Sequence, residues 1–204
     1  MLRRQMLRPL RKPLIVMTPK SLLRHELSVS TLSELTDGSF STVIDDIDSP
    51  MPGGVRRVVC CSGKVYFDLL QARRAANLQN VAVVRIEQLY PFPAAEYATV
   101  LARYPKAFEV VWCQEEPQNQ GAWFQIRHRL QEFAGDLRTV DYAGRASASA
   151  PATGSARIHE TEQRELVQAA LTATSADQAT VRMPRLGAAA GVNQGVTTPK
   201  RISS

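Results

Sequence analysis

The sequence predicts an α/β domain built on a mostly parallel sheet of about five strands with helices on both faces. Apolar runs alternate with helical patterns at intervals of about 25 residues, which is typical of the crossover units of parallel sheets. The apolar runs are continuous, as expected for strands covered on both faces. With 204 residues, 44% of them hydrophobic, the chain can bury a core without disulfides or metals.

The N-terminal part of the chain is predicted to be less regular than the rest. Residues 1–25 contain seven Lys and Arg residues and no acid, a composition that mitochondrial presequences share. Pro9 and Pro13 would interrupt a long targeting helix, so we interpret this segment as part of the fold. An apolar strand is predicted at Leu14–Met17, and an irregular connection at 36–54.

From residue 55 onward, strands and helices are predicted in strict alternation. The strands are expected at 56–61, 81–86, 108–113 and 137–142, and the helices at 65–77, 94–104, 121–133 and 160–172. Residues 173–204 are rich in Ala, Gly, Thr and Pro without periodicity, which predicts a disordered tail behind a domain of residues 1–172.

Charge and composition argue against several classes of function. The net charge is +6, but the positive charge is concentrated at the two ends, and residues 26–172 are mildly acidic. This distribution provides no basic face for nucleic acid. No apolar stretch approaches the length of a transmembrane helix, so no membrane partner is predicted.

The cysteines and histidines predict neither disulfides nor a metal site. Cys60, Cys61 and Cys113 are odd in number and lie in apolar runs, which indicates buried free thiols in a reducing compartment. The three histidines stand apart in the chain, without the close spacing of metal ligands.

Two segments at predicted strand ends were considered as sites of chemistry. The Ser62–Lys64 turn lacks the longer glycine-spaced run of a phosphate-binding loop. Glu115 and Glu116 follow a strand, but neighbouring residues of extended chain point to opposite faces, so the pair is not expected to share a proton. The residues alone therefore predict no catalytic, cofactor-binding or metal site.

Five ordered segments carry a resemblance to a known family. They are Lys12–His25 (KPLIVMTPKSLLRH), Val58–Lys64 (VVCCSGK), Val84–Pro93 (VRIEQLYPFP), Trp112–Trp123 (WCQEEPQNQGAW) and Tyr142–Ala150 (YAGRASASA). Together they closely resemble the C-terminal region of the thiamine-diphosphate-dependent first component of 2-oxoglutarate dehydrogenase, whose fold is transketolase C-terminal-like. The resemblance covers about residues 2–172, which makes the chain look like an N-terminally truncated fragment.

The resemblance implies cofactors and partners for a longer enzyme. That enzyme would use thiamine diphosphate and Mg²⁺ to decarboxylate 2-oxoglutarate oxidatively in the tricarboxylic acid cycle, and would pass succinyl to lipoyl. Its partners would be a homodimer mate, the missing N-terminal thiamine-binding domains, dihydrolipoyl succinyltransferase and dihydrolipoyl dehydrogenase. The family's Gly-Asp-Gly signature is absent from this sequence. The chain alone is therefore expected to bind no cofactor and to be inactive.

The resemblance also suggests roles for individual residues. Glu115, Glu116, Asn119, Gly121 and Trp123 are expected to be structural or to lie at an interface. Because the Trp112–Phe124 segment is expected at a domain boundary, the isolated chain is expected to self-associate.

An effector site is a further implication. Some relatives bind acetyl-CoA in this domain, and Arg4 and Gln88 match that pattern. Ala95, Glu96 and Ser39 replace three cations of it, so acetyl-CoA regulation is not expected here.

Other interpretations remain open from the sequence. The chain could belong to a related 2-oxoacid decarboxylase, or it could be a non-catalytic dimerisation or regulatory module. The compartment is expected to be the bacterial cytoplasm or the mitochondrial matrix, with the cytoplasm favoured.

Overall fold

The computed structural model describes residues 2–48, 50–135 and 138–172, so the tail expected at 173–204 lies outside the described residues. The helices are α1 (Leu2–Leu7), a 3₁₀ helix (Lys20–Arg24), α2 (Leu32–Thr36), α3 (Val65–Ala75), α4 (Ala94–Ala102), α5 (Trp123–Ala134) and α6 (Ala156–Leu171). The strands are β1 (Val43–Ile44), β2 (Arg57–Cys61), β3 (Val81–Ile86), β4 (Glu109–Pro117) and β5 (Thr139–Arg145).

The five strands form one sheet in the order β1-β3-β2-β4-β5. The pairs β3–β2, β2–β4 and β4–β5 are parallel, and only the short edge strand β1 runs antiparallel, beside β3. Val59 of β2 lies between Val83 of β3 and Val111 of β4, which fixes the register at the centre of the sheet. The predicted fold class is confirmed.

Alternate strand residues contribute side chains to two separate hydrophobic cores, one on each face of the sheet. Val58, Ala82 and Val110 pack with α4 and α5, whereas Val59 and Val83 pack with α3 and α6. Because the side chains of a strand alternate between faces, burial on both sides requires apolar residues at every position. This requirement explains the continuous apolar runs and confirms the helices expected on both faces.

The predicted strand at 14–17 is wrong. These residues form no strand, and Ile15 and Met17 are 80% and 90% exposed. Pro13 and Pro19 flank the run and offer no backbone N–H to a ladder. The edge of β3 is instead occupied by β1, which comes from the connection that was expected to be irregular.

Several element boundaries also differ from prediction, most clearly those of β4 and of the last helix. The β4 strand continues to Pro117 instead of ending at 113, with a register shift against β5 between Cys113 and Pro117. The last helix begins at Ala156, four residues before its predicted start. Within the described ranges, no helix combines the length and apolarity needed to cross a bilayer.

Candidate functional site at the carboxyl edge of the sheet

The chain turns in opposite directions at the carboxyl ends of β2 and β4. From β2 it passes through α3 to β3, on one side. From β4 it passes through α5 to β5, on the other side, so the two connections diverge between β2 and β4. Crevices at such switch points are where open α/β sheets bind ligands. The Ser62–Lys64 turn lies at this edge, and so does the segment 114–122, which comprises the end of β4 and the turn into α5 and is called here the β4–α5 connection.

Gln114 holds the β4–α5 connection together from inside. Its side chain is buried, and its Oε1 accepts hydrogen bonds from Trp112 Nε1 at 2.8 Å and from the backbone N–H groups of Ala122 and Trp123 at 3.2 and 3.0 Å. Its Nε2 donates to the carbonyl oxygens of Glu116, Pro117 and Gln120 at 3.2, 3.2 and 2.8 Å. Since Ala122 provides no side-chain cap for α5, the Gln114 amide does so from the strand.

Two glycines are required by this arrangement. Gly121 has φ +64°, and a Cβ there would lie 2.9 Å from Gln114 Nε2. A Cβ on Gly144 would collide with the Tyr142 hydroxyl and lie 2.9 Å from the Gln114 carbonyl oxygen. Any larger residue at either position would displace the buried amide or its neighbours.

The two most distinctive sequence segments are joined by side-chain amides. Asn119 Nδ2 donates to the Ala148 carbonyl at 2.9 Å, and Asn119 Oδ1 accepts from the Ala148 N–H at 3.0 Å. Tyr142 donates to the Arg145 carbonyl at 3.1 Å, and burial raises the pKa of its hydroxyl to about 12. The 112–123 and 142–150 segments therefore form one structural unit.

A network of charged residues crosses the switch point on the α3–α6 face. Lys64 Nζ lies 2.9 Å from Asp68 Oδ2 and 2.7 Å from Glu115 Oε1. Burial alone would lower the pKa of Lys64, but its hydrogen bonds to the two carboxylates outweigh burial and raise the pKa. Gln163 Nε2 then donates to Asp68 at 2.8 Å, which links α6 to α3.

Arg145 extends this network to the start of α6. Its guanidinium is almost fully buried and donates to Glu162 at 2.8 Å, to Gln163 at 3.0 Å and to the carbonyl oxygen of Glu115. A further contact of 3.2 Å joins its Nη2 to His159 Nδ1. The two cations of this network are thus both paired with its carboxylates.

The predicted interface residues lie in different surroundings. Glu115 pairs with Lys64, whereas Glu116 is exposed. Trp123 is only 8% exposed and its ring lies 5.2 Å from that of Tyr142, while Phe124 is 46% exposed. A role for this segment at an interface stays a prediction.

The predicted effector residues meet in a separate surface cavity of about 300 Å³. Arg4 Nη1 donates to Gln88 Oε1 at 2.9 Å, and its guanidinium lies 5.2 Å from the centre of the Phe40 ring. The lining also contains Arg8 and Glu87, so positive and negative groups both face the cavity. Ser39, Ala95 and Glu96 are all exposed.

The family is decided by comparison with known proteins. The model of the family described as 2-oxoglutarate dehydrogenase C-terminal matches residues 29–171. The chain belongs to this family.

Relatives of the 2-oxoglutarate dehydrogenase C-terminal family match far beyond single motifs. The 2-oxoglutarate dehydrogenase E1 component of Azotobacter vinelandii is 52% identical over 175 residues, which cover 84% of this chain and 19% of the relative. The E1 component of Haemophilus influenzae is 52% identical over 171 residues, covering 84% and 18%. The E1 component of Rickettsia conorii is 43% identical over 175 residues, covering 84% and 19%. The chain spans about a fifth of the length of these relatives.

The groups of this family domain do not fit thiamine diphosphate with Mg²⁺. The carboxylates of Asp68, Glu115 and Glu162 at the sheet edge are held by Lys64 and Arg145, and Glu116 lies exposed on the surface. In the described part of the chain, no three His, Cys, Asp or Glu side chains cluster as metal ligands would. No catalytic step through that cofactor is therefore derived for this chain.

The cysteines are placed where sequence analysis expected them. All three are buried, and burial raises the pKa values of Cys60 and Cys113 to about 12. Burial also raises the pKa of Cys61 well above its ordinary value. Because the thiolate is the nucleophile, these protonated thiols act as core residues.

Sequence analysis missed the two residues that organise the edge, Gln114 and Arg145. Both lie inside segments that carried the family resemblance. A polar residue directly after the apolar run of β4 was the available signal for Gln114. Neither the pattern nor the spacing indicated that Arg145 would reach α6.

Proposed function

We propose that this chain is the C-terminal domain of the E1 component of a 2-oxoglutarate dehydrogenase. The family match and the printed names of the relatives support this assignment. The whole enzyme would decarboxylate 2-oxoglutarate on thiamine diphosphate and Mg²⁺ held by its other domains, and would pass succinyl to lipoyl. Its partners would be a second E1 subunit, dihydrolipoyl succinyltransferase and dihydrolipoyl dehydrogenase, in the bacterial cytoplasm.

The domain contributes structure to that enzyme and supplies none of the reacting groups. The observation that carries this proposal is the set of ion pairs at the switch point, where Lys64 binds Asp68 and Glu115, and Arg145 binds Glu162. Strand ends that usually present ligand-binding groups are here devoted to holding α3 and α6 to the sheet.

An N-terminal arm, defined as residues 4–35, provides the surface that the rest of the enzyme would cover. It exposes a series of large apolar side chains: Met6, Leu7, Leu10, Leu14, Ile15, Val16, Met17, Leu23, Val29, Leu32 and Leu35. Apolar surface gains about 25 cal/mol per Å² when it is buried, and large exposed apolar areas mark interaction sites. The arm would therefore dock on the upstream domains or on the second subunit, and would make the isolated chain self-associate.

An activity assay tests the assignment of roles. The purified chain is supplied with 2-oxoglutarate, thiamine diphosphate, Mg²⁺ and ferricyanide as electron acceptor. We expect no turnover above the protein-free background, because the chain offers no cofactor site. Turnover that scales with the amount of folded chain would contradict the proposal.

A further inference from the structure

The edge of β3 is covered only in part by another strand. β1 pairs at two positions, Val43 with Ile86 and Ile44 with Arg85. After Ile44 the chain continues as an acidic strap, defined here as residues 45–48, which contains three aspartates. Beyond Ile44, a side chain of this strap bonds to the edge of β3 in place of the backbone of a strand.

An ion pair occupies the position that a neighbouring strand would fill. The Val83 N–H donates to Asp46 Oδ2 at 2.6 Å, and Arg73 Nη1 donates to the Val81 carbonyl at 3.3 Å. Asp46 and Arg73 are paired with each other, and they are only 5% and 3% exposed. The carbonyl of residue 81 and the N–H of residue 83 point to the same side of β3, away from β2. They are the acceptor and donor that one residue of a parallel strand would use.

The strap is fastened to both layers of helices. On one face, Asp45 accepts a hydrogen bond of 2.6 Å from the Tyr104 hydroxyl and pairs with Arg103. On the other face, Asp48 pairs with Arg73 and accepts from Arg74 Nε at 2.9 Å. The Asp46–Arg73 pair is thus held in place from two sides.

We propose that the Asp46–Arg73 pair is an edge plug, which keeps β3 from pairing with the β3 edge of a second copy of this chain. The segment Val81–Ile86 (VAVVRI) has β-branched residues, one charge, and neither proline nor glycine, which is the composition of self-pairing strands. A second copy presents the identical edge, so an antiparallel, two-fold symmetric contact is available, in which the Val83 N–H and the Val81 carbonyl would bond to the Val81 carbonyl and the Val83 N–H of the second strand. Charges that point into an edge oppose such pairing because a new strand would have to displace or bury them.

Amide hydrogen exchange of the 81–86 segment, measured across about a hundredfold range of protein concentration, tests the plug. In the parent chain, exchange at Val83 is expected to be independent of concentration. In Asp46→Ala the exchange is expected to be fast in dilute solution and to slow by about tenfold or more in concentrated solution, as edges pair. The Asp48→Ala variant keeps both the Val83 acceptor and the Arg73 guanidinium, so it is the control, and its exchange at Val83 should stay independent of concentration.

A second variant covers the case in which Asp46→Ala does not fold. The double substitution Asp46→Leu with Arg73→Met fills the same space with apolar side chains and removes the Val83 acceptor, and it should also show concentration-dependent protection. Exchange that stays independent of concentration in a folded variant of either kind would overturn the proposal. Concentration-dependent protection that is confined to the 4–35 arm would also overturn it, because association would then not involve the β3 edge.

Discussion

The β4–α5 connection and the N-terminal arm are both irregular segments, yet they are stabilised in different ways. In the connection, the buried Gln114 amide bonds to the backbone on either side of the turn, and Asn119 fastens the turn to the neighbouring loop. In the arm, the side-chain anchors include the Arg4–Gln88 hydrogen bond and the packing of Leu22 and Leu27 against the core. The connection is stabilised by its own chain, whereas the arm exposes apolar surface that favours a covering partner.

Resemblance to the family therefore does not show how firmly a segment is held by contacts within the chain. Both segments carry the sequence resemblance to the family, over 12–25 and 112–123, although the family model matches only from residue 29 onward. The second is fixed by a buried network of hydrogen bonds within the chain, whereas the first is anchored through Leu22 and exposes Ile15 and Met17. Substitutions in the connection should therefore reduce stability, whereas substitutions on the outer surface of the arm should alter association and leave stability nearly unchanged.

The largest effect on stability is expected for Gln114→Ala. Removal of the amide leaves buried donors and acceptors of the connection without partners, each at a cost of about 1–3 kcal/mol. We expect a loss of about 3 kcal/mol or more in the free energy of unfolding, measured by urea denaturation. Gln125→Ala on the exposed face of α5 is the control, and it should change stability by less than about 0.5 kcal/mol. Equal effects of the two substitutions would show that the connection is not held by Gln114.

A smaller loss is expected for Gly144→Ala. The new methyl group would collide with the Tyr142 hydroxyl and press on the Gln114 carbonyl. Such overpacking typically costs about 1–3 kcal/mol, which a shift in thermal midpoint would reveal. Gly154→Ala is a matched control because a Cβ there meets nothing within 4 Å. A normal midpoint for Gly144→Ala would mean that the two loops are not tightly joined.

A pH-dependent effect is expected from Asp48. Its hydrogen bond to Arg74, aided by Arg73, lowers the pKa of the carboxyl from 3.8 to about 2 against the opposing effect of burial. A lowered pKa in the folded state stabilises the protein above pH 3.8, and this contribution is lost as the pH falls toward 2. Asp48→Asn should therefore lower the urea midpoint near neutral pH, and the difference from the parent should vanish near pH 2. Glu160→Gln, at an exposed position, is the control. If Asp48→Asn lowered the urea midpoint by the same amount at both pH values, Asp48 would not act through its charge.

Much of the sheet could be predicted from sequence because each central strand carries two buried faces. Val58–Cys61 and Val81–Val84 are apolar at every position, and this leaves few alternatives to a parallel sheet. The inference from a continuous apolar run to a buried strand failed at Leu14–Met17. Such a run indicates that its side chains are buried, but not whether they are buried by this chain or by another one. This run of the arm has the composition of a buried strand, yet its side chains are exposed to solvent in this structure.

The polar part of the fold could not be predicted in the same way. Asp46, Arg73 and Arg145 act across long stretches of sequence, and their partners become neighbours only after the sheet has formed. Periodicity contains no information about such pairs. The acidic strap was consequently assigned to an irregular connection, although it completes an edge of the sheet.

The central claim is that this chain is an E1 domain whose arm is covered by the rest of the enzyme. It is tested most directly by adding the chain to the Azotobacter vinelandii E1 component truncated to remove the part that matches it. We expect the chain to bind the truncated protein and to restore turnover of 2-oxoglutarate, while the folded variant with Ile15→Ser and Met17→Ser should bind more weakly at unchanged stability. A folded parent chain that neither binds nor restores turnover, or arm substitutions without effect on binding, would contradict the account.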